Sequence, residues 1–466
     1  MSPWDLDVNF RLVVLDLLYL SSLILVGTLL RRYVKFFQRF LIPNNLIGGA
    51  IGLLICTQGF GWIDMPSERL GIYVYHLLAL TFITLGLRQE KKHWGKGPLS
   101  KAFAALSSYI VQAAIGLLVA FALIYTVKPD LFAGIGLLVP LGFGMGPGLA
   151  YAMGNSWEHW GFEGGGLVGL TFAAIGYLYA FFAGMAIIQW GIRTGQSNLI
   201  KSTDHITENM RTGINRLDDQ PIAGRLPMSS EAIESMAFQF GLIGFVYLLT
   251  YGFCYVFTAF LENVGAHDFV ATIWSFHFVF GLLIALLVRK IFDKTKTAHV
   301  IDKGLMTRWM GVFLDYLVVG AVAAISITIV GQYWRSILFM SLLAGPATFG
   351  ILYYFCYRAF DDYHFERFVE LWGEMTGTIN SALVLLRVTD PEFKTPVAED
   401  AVYGSGITLF LGIPLLVVLN VPTAFYKNAI EGYWVALGIL LLYWLVAVII
   451  WRAIGFLQFK RVVPKP

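Results

Sequence analysis

The chain has 466 residues, of which 57% are hydrophobic and only 14% charged, against about 25% charged in a soluble domain. With a mean hydropathy of +0.69 it reads as an all-α polytopic membrane protein, with no room for a sizeable soluble domain. The net charge of +3 decides little, because in such a chain the placement of charge matters more than its sum.

Stretches of about 20 apolar residues are long enough to span a bilayer. In chain order they are 12–30, 42–60, 70–87, 102–126 and 164–190, then 232–261, 269–288, 309–330, 336–357 and 401–420, and a last one at 433–451. The first is long and runs into Arg31, Arg32, Lys35 and Arg39 with no small-residue cleavage site, so it reads as a span and not as a removable leader. A polar stretch at 191–230 reads as a linker between two halves. Cys56, Cys254 and Cys356 lie in apolar runs and suggest neither a disulfide framework nor a metal cluster.

Two stretches break the pattern. Residues 132–148 are apolar but carry Pro140, Gly142, Gly144, Gly146, Pro147 and Gly148, which a continuous helix does not tolerate well. Residues 372–387 contain GEMTGTINSALVLLR from Gly373 to Arg387. Each precedes the fifth span of its half. Broken backbone inside a membrane is tolerated only where protein or a water-filled cavity surrounds it, and paired interruptions of this kind mark the binding sites of many secondary transporters.

Charge placement then sets the topology. Bases gather at 31–41, at 88–101 (Arg88, Lys91, Lys92, Lys96, Lys101), at 289–308, and at Arg452, Lys460, Arg461 and Lys465. The other loops are poor in base and hold Asp64, Glu68, Glu158, Glu163, Glu262 and Asp268. The positive-inside rule puts the first set in the cytoplasm. That parity works if both broken segments are re-entrant. The expected architecture is therefore two inverted-topology repeats of five spans, 11–190 and 231–420, each with a re-entrant broken segment. They are joined by a cytoplasmic linker at 191–230 and followed at 421–466 by an extra span and tail. The N-terminus lies outside and the C-terminus inside.

At the first tip, Pro147 suits the opening turn of a half-helix. At the second, Thr376 or Thr378 is placed to cap one. Two helix N-termini meeting there present free amides to an anion, so Gly144, Gly146, Pro147, Gly148, Gly377, Thr378 and Asn380 are the candidate substrate residues. Glu374, Thr376 and Asn380 supply hard oxygen ligands for a coupling ion. A carboxylate at mid-membrane costs about 2.5–3.5 kcal/mol and needs a partner. Glu374 is read as a sodium ligand, a proton carrier, or a structural partner of a neighbouring helix. Arg387 lies about 15 Å beyond Gly377 along a helix and is discounted as the anion partner. Asp315 is expected to pair with Arg308 or another base, and His76 and His277 to be hydrogen-bonded packing residues. No HExxH, phosphate loop or nucleophile constellation is present, so the chain does not read as an enzyme. No cofactor and no nucleic-acid partner are expected.

The stretches LIPNNLIGGAIGLLI (41–55), LLALTFITLGLR (77–88) and FAGIGLLVPLGFGMGPGLAYAMG (132–154), with GGGLVGLTFAAIGYLYAFFAG after them, resemble the sodium/glutamate symporter family over most of 11–420. The resemblance implies two inverted five-span halves with glycine-rich re-entrant loops, in a bacterial inner membrane. It also implies sodium-coupled uptake of an acidic amino acid, by an assembly that moves against a dimeric scaffold containing spans 12–30 and 232–261. Met145 and Pro147 stand where the family places polar groups, and the second tip has only Gly373 and Gly377 with an added acid. A proton-coupled carrier or cation/proton antiporter using Glu374 is the alternative, as is a non-transporting scaffold or sensor that keeps the fold.

Overall fold

A computed structural model describes residues 8–88, 95–200, 208–215, 217, 220, 224–265, 270–391 and 393–458. Lys91, Lys92, Asp268, Lys460, Arg461 and Lys465, used above for topology, lie outside these. The described residues are helical, with no strand among them. The principal helices are α1 (Val8–Tyr33), α2 (Asn44–Ile55), α3 (Ser67–Leu87) and α4 (Lys96–Thr126). A first broken segment follows, formed by a tight turn at Ala133–Leu137, α5 (Leu138–Phe143) and α6 (Pro147–Ser156). Next come α7 (Gly165–Arg193), α8 (Ser235–Asn263), α9 (His277–Lys294), α10 (Lys303–Ala323) and α11 (Ile327–Ala359). A second broken segment, α12 (His364–Met375) and α13 (Ile379–Thr389), precedes α14 (Val397–Tyr426) and α15 (Ile430–Ala453).

Among the described residues nine helices are long and apolar enough to cross a membrane, against eleven expected. The difference has two physical sources. Helix α2 has only 12 residues, since Pro43 starts it late and the chain turns at Cys56–Phe60. In the 269–288 stretch the helix is interrupted at Phe276, and α9 ends in Arg289, Lys290, Asp293 and Lys294.

The element order repeats. Each half runs through three helices, one long helix of 31 or 33 residues, a broken segment and a further helix. The compact units cut across the halves. One is Met1–Glu90 with Glu208–Ile327, and the other is Lys91–Thr207 with Thr328–Pro466. The first therefore gathers the three leading helices of each half, α1 and α8 among them. The second gathers the long helices, both broken segments and α15.

In the first unit helices approach through small residues, as in membrane bundles. A β-carbon at Gly48 would lie 2.5 Å from Leu23 O of α1, and one at Gly49 would lie 2.6 Å from Val322 Cβ of α10. Asp16, 1% exposed, pairs with Arg69 at 2.8 Å. Asp315 accepts from Asn45 Nδ2 at 2.8 Å, so its partner is an amide and not the expected base. His277 is a packing residue as expected. Its ring stacks on Tyr75 at 3.8 Å, and its two nitrogens lie 2.9 Å from Trp274 O and 3.1 Å from Tyr75 O.

In the second unit α4 is the central support. Gly116 of α4 meets Gly136 backbone to backbone, and about four turns earlier Gly404 of α14 seats the stem of Lys101. Lys101 is thus no loop base. It lies inside α4 and is 2% exposed.

Candidate functional site

Both broken segments fold back on themselves. The rings of Phe132 and Trp157, at the two ends of the first, lie 6.2 Å apart. In the second, a β-carbon on Gly373 would lie 2.6 Å from Ala382 Cα. Nine residues along a straight helix would separate them by about 13 Å. The second hairpin is longer than the apolar pattern indicated, because its first arm carries Glu366, Arg367, Glu370 and Glu374.

Each break has a local cause. In the first, Pro147 opens α6, and Gly146 before it has φ 93° and ψ 165°, a conformation open at low cost only to glycine. In the second, Thr376–Thr378 separate the arms. Thr378 takes the extended N-cap backbone at φ −142° and ψ 171°, but its side chain makes no capping hydrogen bond. Thr376 Oγ1 donates back to Trp372 O at 2.7 Å, so neither threonine caps α13 through its hydroxyl.

The two breaks meet. A β-carbon at Gly146 would lie 3.9 Å from Thr378 Cγ2, and one at Gly144 would lie 3.5 Å from Met375 O. The first helical return bonds here run from Ala150 N to Gly146 O and from Ala382 N to Thr378 O. The amides of Gly148 and Leu149, and those of Ile379, Asn380 and Ser381, precede these bonds and are not consumed by the helices. Two helix N-termini, each the positive end of its dipole, therefore open at one place. Pro147, Gly148 and Gly377 are buried there, Thr378 is half-buried and Asn380 is exposed.

Helix α4 holds both breaks, which the sequence did not indicate. Tyr109 donates to Gly144 O at 3.3 Å. Gln112, one turn on, donates to Met375 O and to Thr348 Oγ1, both at 2.9 Å. The only sequence signal was two polar residues, three apart, on one face of an apolar helix.

Three of the charges on α12, Glu366, Arg367 and Glu374, have hydrogen-bonded partners. Glu366 accepts from Asn198 N and Nδ2, both at 2.8 Å. Arg367 pairs with Asp400 at 2.7 Å and with Asp362 at 2.9 Å. Glu374 lies 2.5 Å from Lys101 Nζ and also accepts from Ser405 Oγ at 2.9 Å. Sequence proximity could not reveal this lysine, which comes from a helix far back in the chain. Arg387 is exposed and lies over the ring of Phe393 at 5.0 Å, away from the breaks, as expected.

The model of the sodium/glutamate symporter family matches residues 10–331. That range takes in the first hairpin and stops early in α11, before the second. Comparison with curated proteins and with solved structures gave no match.

Proposed function

Because the chain belongs to the sodium/glutamate symporter family, and so to a family of multi-pass membrane transporters, we propose that it symports an acidic amino acid or a related small carboxylate with sodium. The observation that carries this reading is the meeting of the two breaks, Gly146 against Thr378. A carboxylate seated there takes hydrogen bonds from the amides of Gly148, Leu149 and Ile379–Ser381, and it gains from both helix dipoles. Gly144, Gly146, Pro147, Gly148, Gly377, Thr378 and Asn380 form the substrate site. Sodium, as a transported ion, takes oxygen ligands at the second break, from Thr376, Asn380 and the backbone. Each hairpin is re-entrant in an inverted repeat, and the protein works as a homodimer in a cell membrane with its N-terminus outside.

Uptake of L-glutamate into liposomes containing the purified protein tests this. A sodium gradient should drive accumulation, and Gly148→Cys and Thr378→Cys should be labelled by small polar thiol reagents, with glutamate protecting both. Accumulation driven by a pH gradient, with sodium absent, would replace sodium by a proton.

A further inference from the structure

Lys101 ends in a shell of oxygen atoms. Its Nζ lies 2.5 Å from Glu374 Oε2, 2.5 Å from Ser405 Oγ, 3.3 Å from Ala401 O and 4.0 Å from Glu370 Oε1. These come from two elements besides its own, α12 and α14. An ammonium has three hydrogens to donate, and Glu374, Ser405 and Ala401 take one each. Glu370, 2% exposed, stands at the edge of the shell and has no hydrogen bond at Oε1. Carboxylate, hydroxyl and carbonyl oxygens are the ligands that hard cations select. The stem is seated as closely as the head, since a β-carbon at Gly404 would lie 2.5 Å from Lys101 Cδ.

The neighbouring charges are taken up elsewhere. Asp400 of α14 is bound by Arg367, Asp390 accepts from Lys394 N and Thr395 N, and Arg193 and Arg387 are exposed. Among the described residues, Arg367 and the buried side chains of Tyr109 and Cys356 also stand beside the two glutamates.

We propose that this is a cation site whose occupant belongs to the chain: the Lys101 ammonium is a tethered counter-ion that fills the oxygen shell beside the second break, so the free coupling ion is held elsewhere. This deepens the transport reading, which it takes as its setting, by removing Glu374 from the ligands open to a transported ion.

The test uses unfolding and not uptake, so that failure to transport glutamate leaves its result readable. Lys101→Ala removes the ammonium and its stem and leaves an oxygen-lined gap. The purified variant is expected to unfold at a lower temperature than the unsubstituted protein. Ammonium or methylammonium chloride should raise that temperature saturably, while choline chloride at the same concentration should not. The unsubstituted protein, its site filled, should show no such difference between the salts. A variant that responds alike to ammonium and choline overturns the proposal. If Lys101→Ala is not recovered folded, Lys101→Ala/Glu374→Gln decides. With no uncompensated carboxylate at 374 it should be recovered, and a double variant no better than the single would show that the lysine does not serve Glu374.

Discussion

Gly146 and Thr378, on separate hairpins, face each other at a distance that leaves room for a methyl group: a β-carbon built at Gly146 would stand 3.9 Å from Thr378 Cγ2. Space therefore does not explain the glycine. Its backbone does, because φ 93° with ψ 165° belongs to a region that is nearly glycine-only and costs about 1–3 kcal/mol for other residues.

Gly146→Ala should accordingly strain the first break without a steric clash. The strain is relieved by rotating the start of α6, which re-aims the amides of Gly148 and Leu149. Uptake is expected to fall by about 5- to 150-fold if 1–3 kcal/mol is lost from substrate binding or the transition state. Membrane yield should be close to that of the unsubstituted protein. Gly412→Ala is a control at an ordinary helical position, since a β-carbon there would make only a van der Waals contact, 3.9 Å from the flexible end of Met145.

The pairing of Arg367 with Asp400 ties the first arm of the second hairpin to α14. The arginine side chain is 6% exposed and the aspartate 14%. Removing one partner of a buried pair costs about 3–5 kcal/mol, because the other charge is left uncompensated, whereas removing both often costs far less. Arg367→Met should therefore lower the unfolding temperature more than Arg367→Met/Asp400→Asn does. The measurement is a double-substitution cycle on thermal unfolding. Additive effects would mean that the pair contributes no coupling.

The orientation rests on loop charge and can be checked from outside the cell. Lys296 and Glu262 are both exposed, and Cys56, Cys254 and Cys356 are buried and unpaired by disulfides, so they can be replaced to give a cysteine-free background. A membrane-impermeant thiol reagent applied to intact cells should label Glu262→Cys and leave Lys296→Cys unmodified until the cells are opened. Labelling of both from outside would reverse the assignment of the basic loop at 289–308.

The two breaks were legible in the sequence because glycines gather at each and, in the first, Gly146 is followed by Pro147 at the opening turn of α6; proline alone is no such sign, since Pro346 lies inside α11 and Pro414 inside α14. The start of the second hairpin was not legible. Glu366, Arg367 and Glu370 lower the hydropathy of its first arm, and only the fold reveals that Asn198, Asp400 and Lys101 meet those charges. Lys101 was hidden by company, since it follows Lys91, Lys92 and Lys96 and so counted as one more loop base. The position of α2 was legible but not its length, because apolar residues continue past the turn at Cys56 where the helix ends.

Gln112 is the residue through which α4 reaches the second break, and its substitution separates positioning from stability. It is fully buried, and its Nε2 serves Met375 O and Thr348 Oγ1 at once. Gln112→Leu keeps the bulk and removes the donor. Met375 O, at the last residue before the break, then loses its partner, at a cost of about 1–3 kcal/mol for a buried acceptor left unpaired. Gln112→Glu keeps the shape but cannot donate while ionised, and it should be at least as damaging. Tyr109→Phe removes the longer bond to Gly144 O, 3.3 Å, and should cost only about 0.5–1.5 kcal/mol. The order expected in glutamate uptake is therefore unsubstituted, then Tyr109→Phe, then Gln112→Leu. Thr348→Val separates the two roles. It removes the other acceptor of Gln112 but leaves Met375 O served, so it should lower the unfolding temperature while sparing the concentration of glutamate needed for half-maximal uptake. Gln112→Leu should raise that concentration. If Thr348→Val and Gln112→Leu change uptake and unfolding in the same proportion, Gln112 stabilises the bundle and does not set the position of the second break.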